Sequence, residues 1–354
     1  MSSPTLQTTH ILLLGAGELG TAFLTHLRPL LNIHITIGIR TPSKYTHLVS
    51  PTTPPSNRNM SLTSIDLTAP SSTLSQTFSH FDVIISATGF AQSPASIVKL
   101  AEEVLEAGRI RQARLQSQMP SNPETKEKDS KIWFFPWQWG VDYDITGDGQ
   151  GLMPLFGAQR DVRNLLRREA DEAGVKWTVV STGIFMSFLF EAFWGIVDHS
   201  NDSSATPSLK QSGAGKGDAN GSVTVHALRD WEHKVTVTDV DDIARVLARI
   251  ISGDVDAENK ILYTAGETVS YADLADIVER VSGKNVIREV WDLDQLEEEV
   301  KRHPEDGIKK YRLVFAREGV WWDKKGTVNE ELGMNLLGVE EYARELFGSS
   351  SRGV

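Results

Sequence analysis

Short runs of consecutive apolar residues alternate along this chain with longer stretches in which apolar residues recur every three or four positions. The first run, "HILLL", ends in glycines, and "ELGTAFLTHLRPLL" then places Leu19, Ala22, Phe23, Leu27 and Leu30 at helical spacing. An apolar run closed by turn residues predicts a strand buried on both faces, and the second spacing predicts an amphipathic helix; the segment reads as strand, tight turn, helix. "IHITIGIR" is a second run, followed by the turn-rich "TPSKYTHLVSPTTPPSNRN". "SLTSIDL" and "FDVIISATG" predict further strands, the latter with Val83, Ile84 and Ile85 suited to the middle of a parallel sheet. "SPASIVKLAEEVLEAG" predicts a helix, and residues 109–130, polar and of mixed charge, predict an exposed insertion. "IWFFP" resumes as a strand, "LFGAQRDVRNLLRREADEAG" as a helix with Gly174 at its end, and "KWTVVSTG" as another strand.

Strands that alternate with helices in this way predict an α/β fold, a Rossmann-type doubly wound parallel sheet spanning residues 1–183. The character changes at Ile184. "FMSFLFEAFWGIV" is dense in aromatics, and residues 199–221 form a Gly/Ser-rich stretch that predicts a mobile loop. "KVTVTDVDDIARVLARII" predicts a strand entering a helix capped by Thr238 or Asp239, with His226 and His233 expected on the surface of a hairpin before it. "KILYTAG", the helix "SYADLADIVERVSG", "VIREVWD" and a late helix "GVEEYARELF" complete a smaller C-terminal α/β domain, 184–354, expected to bind substrate.

The chain has 354 residues, 40% hydrophobic and 23% charged, the balance of an ordinary globular protein. Its net charge of −11 opposes binding to nucleic-acid backbones, whose affinity rests largely on Lys and Arg displacing counterions. It has no cysteine, which excludes disulfides, thiolate metal sites and a Cys nucleophile and fits a reducing compartment. The opening "MSSPTLQTTH" lacks a basic region followed by an apolar core, and no apolar run approaches the length of a membrane span. A cytosolic protein with neither membrane nor nucleic-acid partners is expected.

Gly15, Gly17 and Gly20 form G-x-G-x-x-G directly after the first strand. The first glycine permits the turn, the second lets backbone approach a pyrophosphate, and the third lets helix pack on strand. The helix opening at Glu18 and Leu19 then offers unpaired N–H groups and the positive end of its dipole. At the end of the second strand, where an NAD-selective protein places Asp or Glu, this chain has "IRTPSK". Arg40 and Lys44 suit a 2′-phosphate, since guanidinium binds phosphate through paired hydrogen bonds. The expected cofactor is NADP(H).

"FFPWQWGVDYDITGDG", taken with "GAGELG", "FDVIISATGF", "WTVVSTGIF", "VTVTDVDDIARVLARII" and "YTAGETVSYADLADIVE", resembles the NmrA-like and isoflavone-reductase-like branch of atypical short-chain dehydrogenases, particularly its fungal members. The resemblance covers nearly the whole chain. It implies a substrate cleft between the two domains, with Thr88, Gly89 and Phe90 beside the cofactor and Phe135, Pro136 and Gln138, with Gly183 and Phe185, bordering the nicotinamide.

One departure changes the chemistry. The family's reductases carry a proton-donating Lys three residues before an apolar-Arg pair, and counting back from Val162-Arg163 lands here on Gln159. No Lys occurs between Met153 and Gly174, and no Tyr has Lys four positions later. Reducing a neutral carbonyl or alkene needs a proton alongside the hydride, and an amide is a very poor acid. Three readings satisfy this: reduction of a substrate that is already cationic, such as an iminium; a non-redox cyclisation or isomerisation with NADP as scaffold; or an NADP-sensing regulator without catalysis. An aromatic secondary metabolite, alkaloid-like, is the expected ligand. Trp137, Trp139, Tyr143 and Phe185, with Phe188 and Trp194, are the candidate aromatic walls, and about half of the aromatics in this part of the chain must serve core packing. Asp142, Tyr143 and Asp144 join Gln159 as candidates for acid, base or orienting roles, against the alternative that the two carboxylates are solvated loop groups.

Overall fold

The computed structural model describes residues 8–49, 59–89, 93–118, 130–199 and 221–350. The chain divides into two compact units: Met1–Gln138, Gly157–Val180 and Ala244–Leu262 form the first, and Trp139–Phe156, Ser181–Ile243 and Tyr263–Val354 the second. The division is not the single cut at 183/184 that the sequence suggests. Val141, Tyr143 and Phe156 enter the second unit's core, and 244–262 carries a strand of the first unit's sheet.

The first unit opens with β1 (Thr9–Leu14), α1 (Glu18–Leu27), β2 (Ile33–Ile39), a 3-10 segment Pro42–Val49, β3 (Met60–Ser64), α2 (Ser71–Phe78), β4 (Val83–Ser86), α3 (Pro94–Gln118) and β5 (Ile132–Phe135). After α4 (Tyr143–Thr146) it regains α5 (Pro154–Glu169) and β6 (Val175–Ser181). β1 pairs in parallel with both β2 and β4, β2 with β3, β4 with β5 and β5 with β6. With a later strand, β11 (Lys260–Tyr263), at one edge, the seven-stranded order is β11-β6-β5-β4-β1-β2-β3. The order reverses between β1 and β4, and in a doubly wound sheet the ligand crevice lies at the strand ends beside that reversal. Ile11 to Leu14 and Val83 to Ile85 are buried, as continuous apolar runs in central parallel strands must be.

Two features of this unit depart from expectation. Residues 109–118 are not an exposed insertion but the second half of α3, docked by its own arginines: Arg111 Nη1 donates to Phe81 O at 2.8 Å and Arg114 Nη2 to Ser79 O at 2.8 Å. The mixed charge that suggested a loop is a set of ties. Helix α2 has a Ser/Thr-rich sequence of weak helical propensity and forms by burying Leu74 and Phe78. The rest of the expected insertion, 119–129, and most of the expected mobile loop, 200–220, lie outside the described residues.

The second unit holds β7 (Ile184–Phe185), a 3-10 turn Met186–Phe190, β8 (Val197–Asp198), β9 (Val223–Leu228), β10 (Lys234–Thr238) and the start of α6 (Val240–Ile251). Beyond β11 (Lys260–Tyr263) come β12 (Glu267–Ser270), α7 (Tyr271–Ser282), β13 (Val286–Trp291), α8 (Leu293–Arg302), α9 (Gly307–Phe315), α10 (Val328–Glu331) and α11 (Val339–Ser350). Asp239 caps α6 by accepting from Asp241 N, and Ser270 caps α7 by accepting from Asp273 N. The expected hairpin is absent: β9 lies in a sheet β13-β9-β8 and β10 in another, β12-β10-β7. β9 therefore pairs in parallel with β13, far along the chain. His226 and His233 are buried, not surface groups. No helix among the described residues is long and apolar enough to cross a membrane.

Candidate functional site

The turn between β1 and α1 separates its three glycines by cause. Gly15 has φ +102°, and a Cβ there would lie 2.5 Å from the Ala87 carbonyl oxygen; at Gly20 a Cβ would lie 2.4 Å from the Gly15 oxygen. Both glycines are demanded by the chain's own backbone. Gly17 is different. Its φ of −77° and ψ of −164° suit any L residue, and a Cβ would meet nothing within 4 Å. Among the described residues nothing requires glycine there, so the space has the form of a place kept clear for a ligand at a helix N-terminus. Gly17 caps α1 with no side-chain hydrogen bond; Glu18 is exposed and Leu19 is buried beneath it. The N-terminus of α1 turns the positive end of the helix dipole toward this space.

Across β4, Ala87 touches Gly15, Thr88 shares a hydrogen bond with Ser86 at 3.0 Å, and Gly89 has φ +78° with open space around its missing Cβ. Phe90 lies outside the described residues. At the end of β2, Arg40 is exposed, and Lys44 is exposed within the 3-10 segment. No ion pair engages either among the described residues. Nearby, the N–H and hydroxyl of Thr68 hold the Asp66 carboxyl below its ordinary value, and the charges of Arg40 and Lys99 add to the effect.

The residues after β5 are interior. Phe135 and Pro136 are buried; Trp137 and, in the second unit, Trp139 are also buried, so none of them offers an open stacking face. Gln138, 1% exposed, is a two-ended clamp: its Nε2 donates to Gln159 O at 2.8 Å, and its Oε1 accepts from Arg163 Nε at 2.8 Å. Arg163 is fully buried, and the clamp supplies its guanidinium with an acceptor. Phe135 packs in the interior, and Gln138 is engaged at both ends by this clamp. Gln159 is 1% exposed, and its Oε1 is buried without a hydrogen-bond partner. The structure thus brings Gln159, Gln138 and Arg163 together along one face of α5.

The second unit's candidates sort differently. Asp142 is buried, not solvated: Oδ1 caps α4 by accepting from Asp144 N at 3.0 Å, and Oδ2 accepts from the Tyr263 hydroxyl at 2.7 Å. Asp144 is exposed. Tyr143 packs edge-on against Phe156 at 5.1 Å within the core. Trp194 is fully buried and packs edge-on against Phe315 at 5.4 Å, so it is a core residue and not a substrate wall. Gly183 is forced by packing, since a Cβ would lie 2.0 Å from Thr236 O. Phe185 and Phe188 are half-buried with centroids 5.6 Å apart, and Phe188 meets Phe193 edge-on at 5.2 Å. Phe193 is 45% exposed, so this ladder reaches solvent. Sequence reasoning missed Tyr263, because a tyrosine closing a predicted strand carries no sign of the carboxylate it will meet 121 positions away.

A model of the family described as NmrA-like matches residues 131–342. A curated relative from Gibberella moniliformis, named as an NmrA-like family domain-containing oxidoreductase, is 31% identical over 350 residues, 95% of this chain and 98% of that protein. The chain belongs to the NmrA-like family. Among solved structures, a crystal structure of isoflavone reductase superposes on this NmrA-like chain with a TM-score of 0.67 at 15% identity, covering 96% of this chain and 99% of the other. AtPrR2 with NADP+ and (+)pinoresinol superposes with a TM-score of 0.66 at 15% identity and the same coverage. At that identity the likeness is one of fold, and it agrees with the parallel sheet described above.

Proposed function

We propose that this NmrA-like protein binds NADP(H) on its Gly15–Gly20 turn and is an oxidoreductase of an aromatic, nitrogen-bearing secondary metabolite, reducing a C=N bond that arrives already cationic. The observation that carries the cofactor reading is Gly17, a glycine that neither its backbone conformation nor packing among the described residues explains. Arg40 and Lys44 would hold the 2′-phosphate, the N-terminus of α1 the pyrophosphate, and Gly89 would leave room beside them. The named activities of the relatives support an oxidoreductase.

The bound cofactor supplies a hydride. The chain's own contribution on α5 would be a side chain that neither gives nor takes a proton: by the resemblance, Gln159 falls where the family's reductases carry Lys, and Gln138 donates to its backbone carbonyl. A substrate that is already an iminium needs only the hydride, which removes the demand for an acid. In the second unit, the ladder of Phe185, Phe188 and Phe193 is an apolar, π-rich surface of the kind that stabilises an aromatic cation.

The test follows reduced-cofactor absorbance with NADPH and two probes, a dihydroisoquinolinium ion and a neutral aryl ketone. Oxidised cofactor formed in step with reduced amine, and none with the ketone, supports the proposal. Ketone turnover at a comparable rate sinks the cationic-substrate reading. Product formed at constant cofactor absorbance means cyclisation or isomerisation. If no probe turns over and NADP changes affinity for a protein partner, the protein is a regulator.

A further inference from the structure

His226 projects from β9 with both ring nitrogens engaged. Its Nδ1 lies 2.7 Å from the carbonyl oxygen of Gly195, and its Nε2 lies 3.2 Å from Oε2 of Glu289 on β13. The ring stacks on Trp291 with centroids 4.0 Å apart and planes 16° apart. Arg312 of α9 lies 4.4 Å from the same indole and donates through Nε to Trp194 O at 2.8 Å, one residue before Gly195. The imidazole and guanidinium, both on Trp291, thus grip successive carbonyls of the turn that follows the aromatic run. That turn carries Phe193, the exposed end of the ladder.

The two acceptors constrain the protons. A carbonyl oxygen only accepts, so Nδ1 carries hydrogen; a carboxylate oxygen also only accepts, so the contact at Nε2 is favourable only when that nitrogen carries hydrogen too. A neutral ring would turn a lone pair toward Glu289. The contact with Glu289 becomes a hydrogen bond only in the imidazolium.

We propose that His226 is an acid-strengthened latch: its Nδ1–H ties the turn bearing Phe193 to β9 in either charge state, and protonation of Nε2 adds the Glu289 carboxylate of β13, fixing the ring that holds the turn. Burial opposes the charged ring most strongly and places its titration below the ordinary value of 6.5; the Gly195 carbonyl, Glu289 and Asp198 of β8 favour the charge, and Arg312 opposes it. Above that range the ring is neutral, Nδ1–H stays on Gly195, and Glu289, 55% exposed, is released to water. Below it the second bond forms. The sign for the whole fold is opposite. A depressed folded value means that stability is full above 6.5 and falls as the pH drops through the folded value, so the latch tightens at a cost in global stability.

The measurement is nitrogen-resolved NMR of the full chain labelled in histidine, with the His226 signals assigned by loss in His226→Gln, and with Glu289→Gln as the test variant. The expected wild-type result is the Nδ1–H tautomer at neutral pH, converting to a doubly protonated ring on acidification, with amide exchange of residues 193–196 slowing over the same range. Glu289→Gln, a change at an exposed side chain, should lower the midpoint by about half a pH unit, the contribution of a half-exposed ion pair. An Nε2–H tautomer at neutral pH, a midpoint unchanged in Glu289→Gln, or exchange at 193–196 indifferent to the titration would each overturn the latch. The outcome does not depend on whether the protein binds NADP(H).

Discussion

Replacing Gly17 by alanine should separate binding from folding. Two stability effects nearly cancel in the free protein. Alanine restricts the unfolded chain, worth about 0.4–1 kcal/mol at a position whose φ it can adopt, and it is a poorer helix N-cap than glycine by a comparable amount. Since the added Cβ meets nothing within 4 Å, no clash term enters. The melting temperature of the cofactor-free variant should therefore stay within a degree or two of wild type. Binding should respond differently. A methyl group that holds a pyrophosphate off the α1 N–H groups forfeits charge-assisted hydrogen bonds of about 1.5–3 kcal/mol, roughly a 10- to 150-fold rise in Kd for NADPH. Gly15→Ala and Gly20→Ala are the controls. At Gly15 a positive φ costs about 1–3 kcal/mol and a Cβ 2.5 Å from the Ala87 oxygen costs about as much again; at Gly20 the 2.4 Å approach to the Gly15 oxygen acts alone. Both should lower stability before any ligand is added. Thermal melts of the free proteins with calorimetric NADPH titrations read the two effects independently. If Gly17→Ala unfolds like Gly20→Ala, or binds NADPH as wild type does, the assignment of Gly17 to the ligand fails.

Arg40→Ala should weaken NADPH by about 1.5–3 kcal/mol and leave NADH nearly unchanged, because only the former carries a 2′-phosphate; equal losses for both in a titration would remove Arg40 from that role. Gln138→Leu should cost about 1.5–3 kcal/mol in urea unfolding by taking an acceptor from the buried Arg163 guanidinium, and a change below half a kcal/mol would show the clamp to be dispensable. Burial holds the His233 imidazole below its ordinary value of 6.5, so folding favours the neutral ring, and stability should fall as the pH drops below 6.5. His233→Gln, which keeps a donor for Phe315 O, should flatten that fall in urea midpoints without abolishing it, since His226 and His34 are depressed as well. An unaltered pH slope would show that His233 does not contribute.

The central sheet was legible because its strands are apolar on both faces and its turns carry glycines with steric causes. Nothing comparable marked α2, whose Ser/Thr-rich sequence turns helical only by burying Leu74 and Phe78, or the outer half of α3, where Arg111 and Arg114 look like solvated charges until their carbonyl acceptors are seen. The error over β9 and β10 has the same root. Adjacent strands joined by a short turn suggest a hairpin, and local pattern holds no information about a parallel partner such as β13, some sixty residues on in the chain.

At the site, sequence reasoning worked where one residue type answers one local demand and failed where a side chain answers a distant one. The glycine triplet could be read, yet only coordinates distinguish Gly15 and Gly20, which the backbone needs, from Gly17, which it does not. Asp142 shows the converse. As a loop carboxylate it was expected to be a solvated group more readily than a base, and it is not solvated, because a cap and the Tyr263 hydroxyl engage both of its oxygens. The aromatic run divides on the same principle: Trp194 sinks among Phe315 and Tyr311, whereas Phe193 beside it points outward, its backbone turn held by Arg312 and His226. What separates the core residue Trp194 from the exposed Phe193 is how Arg312 and His226 hold the carbonyls of their turn, and those two residues lie on α9 and β9, far from the aromatic segment in sequence. An accurate guess at which aromatics face outward therefore requires the polar ties of the turn that carries them, more than the aromatic pattern itself.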